Sequence, residues 1–344
     1  MQMNHPIVTS RRQFSLGMAG LCAAPFISAC SNMAAASRPL SVGALFAGRI
    51  DDRGFMEAGW RGLERARAEL GVKTSYLDGV PPKKELLAAA LVKLAETGAD
   101  LVVAHGGQNN EACAEVAARF PAVKFVVTQG AVTHANLASY DVLQEESAYL
   151  GGVLAALTTR TGVVGHMSGI RVRPGLKGRA AYAAGVRATN PDVKLLTNFS
   201  GSQDDNPLSK RVASAQIAAG VDVIFTMLNA GRDGVTEACR DKGIRQIGNV
   251  IDWVQVDPKV FLASAIADVG IGVFEAVRDL RQGAFPAATI RTIGLANPQA
   301  VRLSMAPDVP ADVKSHIFKV AEGIANGRIR MPESYDGAEF ATPA

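Results

Sequence analysis

Aromatic side chains are scarce here: two tryptophans, five tyrosines and 13 phenylalanines make up 6% of 344 residues. A sandwich core built on aromatic pairs is poorly served by that composition. Helices packed closely on a sheet suit it better, and the 34 glycines and abundant alanines agree. Cysteine is rarer still. Cys22 and Cys30 fall in the N-terminal segment, so only Cys113 and Cys239 remain for the folded body. Each lies in an Ala-rich helical pattern with no histidine nearby. The reading is two buried free thiols, not a disulfide framework or a catalytic thiol. Charge of one sign never accumulates: 36 Lys and Arg face 32 Asp and Glu, for a net +4. No basic stripe alternates with aromatics, which argues against a nucleic-acid partner. Sets of His, Cys and carboxylate with metal-ligand spacing are missing. The segment Gly43-Ala-Leu-Phe-Ala-Gly48 is not a dinucleotide phosphate turn, and neither a P-loop lysine nor a nucleophile elbow is found. These absences weigh against an enzyme, and no cofactor is expected.

Long apolar runs are missing too. The run from Leu16 to Ile27 falls short of the roughly 20 residues needed to span a bilayer. It follows the twin arginine of Ser10-Arg-Arg-Gln-Phe-Ser-Leu16 and ends at Ile27-Ser-Ala-Cys30. The first resembles a twin-arginine export signal. The second resembles a lipobox, in which Cys30 would be lipidated and become the mature N-terminus. Residues 31–37 are small and polar, as a tether should be. The expectation is an exported protein held by a lipid anchor at the periplasmic face of a membrane.

What is present is alternation. From Leu40, short apolar runs such as Leu101-Val-Val-Ala104 and Phe125-Val-Val127 alternate with longer amphipathic stretches such as 54–70, 84–97 and 110–120. Strands separated by helices of this length predict right-handed βαβ units in parallel sheets. The pattern runs twice, so two Rossmann-like lobes joined by crossing strands are expected. The boundaries read as a signal and tether over 1–38, a first lobe over 39–140 plus 253–284, a second over 141–252 plus 285–330, and a polar, fraying tail over 331–344.

Ligands of such folds bind beyond the carboxyl ends of the strands. The loops there carry Asp52, Phe55 and Met56 after the first strand, His105 after the third and Gln129 after the fourth. The second lobe offers Gln203, Asp205, Asn229, Asp252 and Trp253. Amides and carboxylates can read the edges of a polar small molecule, and Phe55 or Trp253 can stack on a flat ring. Other readings stand beside these. Asp52 would equally cap the helix from Gly54. Phe55 has the spacing of a core residue. His105 follows an apolar strand, as structural histidines do.

The ordered set Asp52-Arg-Gly-Phe-Met-Glu-Ala-Gly-Trp60, Phe120-Pro-Ala-Val-Lys-Phe-Val-Val127, Gln144-Glu-Glu-Ser-Ala-Tyr-Leu-Gly-Gly152 and Ala219-Gly-Val-Asp-Val-Ile-Phe225 resembles the basic membrane protein family of solute-binding lipoproteins, whose best-known members bind purine nucleosides. The resemblance implies a type I periplasmic-binding-protein fold, a small-molecule ligand, and an ABC permease and ATPase as partners. It matches Asp52 and Phe55 to a ligand-binding aspartate and a base-stacking phenylalanine, and Asp205 and Asp252 to acidic positions. It also shows departures. Met56 stands for an asparagine, Gln129 for an acid, Gln203 for an aromatic residue and Ala267 for a lysine. Loss of that acid and lysine removes expected sugar contacts, so a nucleobase or related flat heterocycle is expected in place of an ordinary nucleoside. A sensor coupled to a membrane receptor, and a structural lipoprotein with a degenerate cleft, are the alternatives to an importer's binding protein.

Overall fold

The computed structural model describes residues 38–341, so Cys30 and the segment read as an export signal lie outside the described residues. The first run, β1 (Ser41–Phe46), is buried over its last five residues. Val42, Ala44 and Phe46 meet one helical layer and Leu45 the other. That two-sided burial is why inner parallel strands read as continuous apolar runs. α1 (Phe55–Leu70), β2 (Lys73–Leu77), α2 (Lys84–Glu96), β3 (Leu101–His105), α3 (Asn110–Arg119), β4 (Lys124–Thr128) and β5 (Leu137–Val142) complete the first pass.

The chain then crosses to the second lobe. There it forms α4 (Gln144–Thr158), β6 (Val163–Ser168), α5 (Arg173–Thr189), β7 (Lys194–Phe199), α6 (Asn206–Ala218), β8 (Val223–Met227), α7 (Arg232–Lys242), β9 (Arg245–Val250) and β10 (Phe261–Ala267). It returns for α8 (Gly270–Arg281) and β11 (Ile290–Ile293), then crosses again for β12 (Val301–Met305) and α9 (Ala311–Ala325). The first sheet has the order β11-β5-β4-β3-β1-β2 and the second β12-β10-β9-β8-β6-β7. Among the described strands, only β12 runs antiparallel to its neighbour. No helix among the described residues is long and apolar enough to cross a membrane.

Three crossings therefore join the lobes, but two segments lie opposite to expectation. Residues 253–267 sit with the second sheet, because β10 pairs with β9, and β11 sits with the first, because it pairs with β5. The tail differs as well. It was expected to fray, yet Met331 and Phe340 pack against the second lobe's core, and the Phe340 amide donates to the Thr197 carbonyl at 2.7 Å.

Both lobes contain very close helix crossings among the described residues. A Cβ on Gly62 of α1 would stand 2.1 Å from the Gly270 carbonyl oxygen of α8, and one on Gly152 of α4 would stand 2.1 Å from that of Tyr182 on α5. Only glycine allows backbones to approach this closely. Cys113 and Cys239 are buried free thiols, and burial pushes the Cys239 thiol up to about 12.

Candidate ligand-binding site

The carboxyl ends of β1, β7, β8 and β9 converge on a crevice between the lobes that encloses a cavity of about 480 Å³. The first lobe supplies Arg49, Asp52, Phe55 and Met56 from the loop after β1, and Gln108 from the turn after β3. Gln144 opens α4 at the first crossing. The second lobe supplies Ile170 and Val172, the turn Gly201-Ser202-Gln203-Asp204, Met227, Asn229 and Asn249.

The charged members of this lining are largely committed elsewhere. Both Asp52 oxygens accept backbone N–H groups at the start of α1, from Gly54 at 2.8 Å, Met56 at 3.0 Å and Glu57 at 3.1 Å. Burial raises its pKa while those bonds pull it down. Arg49 pairs with Asp51 at 2.8 Å, and Asp204 accepts the Ala230 amide at 3.1 Å. The neutral amides are different. Gln144 Nε2, Gln203 Oε1 and Asn249 Oδ1 are each buried without a hydrogen-bond partner. Buried polar atoms are nearly always paired, so this trio lining one cavity leaves hydrogen bonds open to a molecule bound there. Phe55 is backed by His105. The rings stand 4.4 Å apart, His105 Nε2 lies 2.9 Å from the Phe55 carbonyl oxygen, and Nδ1 lies 2.7 Å from Thr128 Oγ1. Burial lowers the His105 pKa to about 4, so the ring is neutral near pH 7.

The lobes are closed on one another beside this cavity. Arg53 forms an ion pair with Asp233 of α7, and Arg232 Nη2 donates to the Arg53 carbonyl at 3.1 Å. The Phe55 amide reaches Asn229 Oδ1 at 3.4 Å. Arg232 is fully buried, with its guanidinium carbon 3.4 Å from the centroid of Trp253, and burial lowers its pKa to about 9. Strained backbone occurs after three of the strands: Arg53 beyond β1, Gln129 beyond β4 and Val250 at the end of β9 have φ of 48°, 54° and 68°. A β-branched residue such as Val250 adopts this region only where the fold over-determines it.

Residues 40–334 match the family of ABC transporter substrate-binding proteins described as PnrA-like, Bmp. The chain belongs to the Bmp family. That family is one of solute-binding proteins, not enzymes. The nucleoside-binding protein BmpA of Lactococcus lactis is 26% identical over 82% of this Bmp chain and 86% of its own length. A purine-binding protein of Brucella abortus is 23% identical over 89% and 87%. A solute-binding protein of an ABC transporter system from Aeropyrum pernix superposes with a TM-score of 0.76 at 24% identity, covering 89% of this chain and 94% of that one. At that identity the superposition speaks for the fold alone: the two-lobed architecture of periplasmic solute-binding proteins.

Of the ten residues singled out in this Bmp chain, Asp52, Phe55, Met56, Gln203 and Asn229 line the cavity. Five others lie elsewhere. His105 stands behind Phe55. The Gln129 amide is spent on Val142, donating to its carbonyl at 2.9 Å and accepting its N–H at 2.6 Å. Asp205 caps α6, accepting the Leu208 amide at 2.8 Å. Asp252 accepts from Ser304 at 2.9 Å. Trp253 packs against Phe261 and donates to the Asn249 carbonyl at 3.0 Å. Asp252 and Trp253 instead line a second interlobe cavity of about 510 Å³ along α1 and the later crossings. Its Arg61 is paired with Glu57 at 2.5 Å and its Arg65 with Glu69 at 2.9 Å. The amide trio lines the first cavity, whereas the second carries one buried orphaned oxygen of this kind in its lining, Asp252 Oδ1. Gln144 and Asn249 were not among the residues singled out, although the loop opening at Asn249 lies beyond a strand's carboxyl end. Asn249 is the penultimate residue of β9 and Gln144 lies two residues past β5, and that position is the signal that could have found them.

Proposed function

We propose that this chain is the extracytoplasmic binding protein of an ABC importer, taking an uncharged purine-type heterocycle between its lobes. The observation that carries the reading is the amide trio Gln144, Gln203 and Asn249, with its unpartnered Nε2, Oε1 and Oδ1. A purine base presents donors and acceptors around a flat edge, and side-chain amides complement both. Charged neighbours already hold partners, so a neutral guest leaves no ion unbalanced in the crevice. Phe55, braced by His105, supplies an aromatic surface. The names of the Lactococcus and Brucella relatives, nucleoside-binding and purine-binding, favour the same ligand class.

A base without its sugar fits better than a nucleoside. Gln129 and Ala267, which stand where the resemblance expects an acid and a lysine, are both buried within the lobes. Isothermal titration against adenine, guanine, xanthine and their nucleosides tests this. Tighter binding of a free base is expected, and a clear preference for a ribosylated ligand would overturn it. Lipid attachment at Cys30 and export by a twin-arginine route complete the reading, since an importer's binding protein must stay near its permease.

A further inference from the structure

Past α9 the chain runs back across the second lobe, and residues 339–340 lie against the loops beside the cleft. Glu339 Oε2 meets Arg171 Nη2, and Oε1 meets Arg179 Nη1, each at 2.5 Å. Arg171 lies between Ile170 and Val172, which line the cavity. Arg179, on α5, is buried. Both guanidinium carbons stand 4.7 Å from the ring centroid of Phe199, the last residue of β7. The turn that follows Phe199 carries Gln203 into the cavity. The two loops are also tied to each other, because the Gly201 amide donates to the Gly169 carbonyl at 2.9 Å. The family match ends at residue 334, so Glu339 and Phe340 lie beyond it.

We propose that this tail is a clamp on the binding cleft, in which Glu339 is a positioning residue that holds the 170–172 lip and the 201–204 turn against the ligand. The half-exposed pair with Arg171 would contribute little alone. Arg179 changes the balance. Its side chain is 7% exposed, and Glu339 is the carboxylate that its ion pair reaches. A buried guanidinium stripped of its counter-charge is costly, so it moves or draws in water. Phe199 and the turn behind it then lose a rigid neighbour. Phe340, packed against the core and hydrogen-bonded to β7, keeps the carboxylate in place.

The proposal rests on the cleft being the ligand site, and its test separates the two. Hydrogen exchange of the free full chain is compared for wild type, Glu339→Gln, Arg171→Gln and Glu333→Gln, the last altering an exposed tail charge outside the clamp. Glu339→Gln is expected to speed exchange in 169–173 and 200–204 and leave the rest of the lobe unchanged. Arg171→Gln frees the 169–173 segment, and Glu333→Gln changes nothing. Titration with adenine, guanine and xanthine is expected to show a loss of about tenfold for Glu339→Gln, the size of one lost buried polar contact. Unchanged exchange in both segments, or faster exchange across the whole lobe, would overturn the clamp. If the segments loosen and no base binds wild type, the clamp stands and the ligand class falls.

Discussion

Asn249 and Gln144 show how much a single side chain decides. Each has an amide atom shut away from water with nothing to bond, so a guest that pairs with it recovers a desolvation cost already incurred in folding. Leucine has asparagine's branching and one heavy atom fewer than glutamine, and it lacks that atom. Asn249→Leu and Gln144→Leu are expected to weaken base binding by about 10- to 100-fold, as for loss of a buried hydrogen bond, while leaving the urea midpoint nearly unchanged. Titration of the variants checks this, and unaltered affinity in both would place the ligand elsewhere. His105 carries a different signature. Its folded pKa of about 4 lies below the ordinary 6.5, so the unfolded chain takes up its proton first. The stability it contributes is complete above about pH 6.5 and is lost as pH falls towards 4, at about 1.4 kcal/mol per pH unit. Burial raises Asp52 and Asp268 in the opposite sense, so a comparison with His105→Asn isolates the imidazole. The variant's urea midpoint should fall less steeply over that window. Equal slopes would show that the ring is not held neutral.

At the scale of elements, the glycines divide sharply. A Cβ on Gly152 would meet the Tyr182 carbonyl oxygen at 2.1 Å, whereas one on neighbouring Gly151 finds nothing closer than 3.6 Å. Gly152→Ala is expected to destabilise by about 1–3 kcal/mol or more, because α4 and α5 must be forced apart. Gly151→Ala should be neutral or stabilising by up to about 1 kcal/mol through helix propensity. Urea unfolding of the pair separates a crossing set by glycine from a helix that merely contains it. Elements of this kind were legible in the sequence where a pattern was long. Ala311–Ala325 reads as a helix and forms one. β10 escaped because its seven residues, Phe261-Leu-Ala-Ser-Ala-Ile-Ala267, include three alanines and one β-branched residue, a short apolar run that a helix would carry equally well. β11 is a four-residue edge strand, too short for a period to emerge. Trp253 was placed in the cleft because it follows a strand in a polar turn. A 3-10 turn over Trp253–Gln255 and the stacked Arg232 turn it into the second lobe. No local pattern reveals which side of a loop an indole takes.

For the whole molecule, the question is what holds the lobes shut. The Arg53–Asp233 pair is about half exposed on both sides, so it is worth about 0–1 kcal/mol. Asp233→Asn should then weaken ligand binding by no more than about fivefold, and salt should remove that difference. Small-angle scattering would show a more open ligand-free ensemble in the variant. A loss far beyond this range would mean that the latch, and not the guest, sets closure. The ligand must favour the closed form by its own contacts, since only differential affinity shifts such an equilibrium. The division into lobes was visible in the sequence as two βαβ series, but the two later crossing points, after β10 and after β11, were not, because the chain passes between sheets there with no change in composition.

The most direct test is mass spectrometry of small molecules released when the freshly purified, full-length protein is denatured. The account predicts an uncharged purine-type base without its sugar, at close to one per chain. A nucleotide, a free sugar or an amino acid in its place would contradict it.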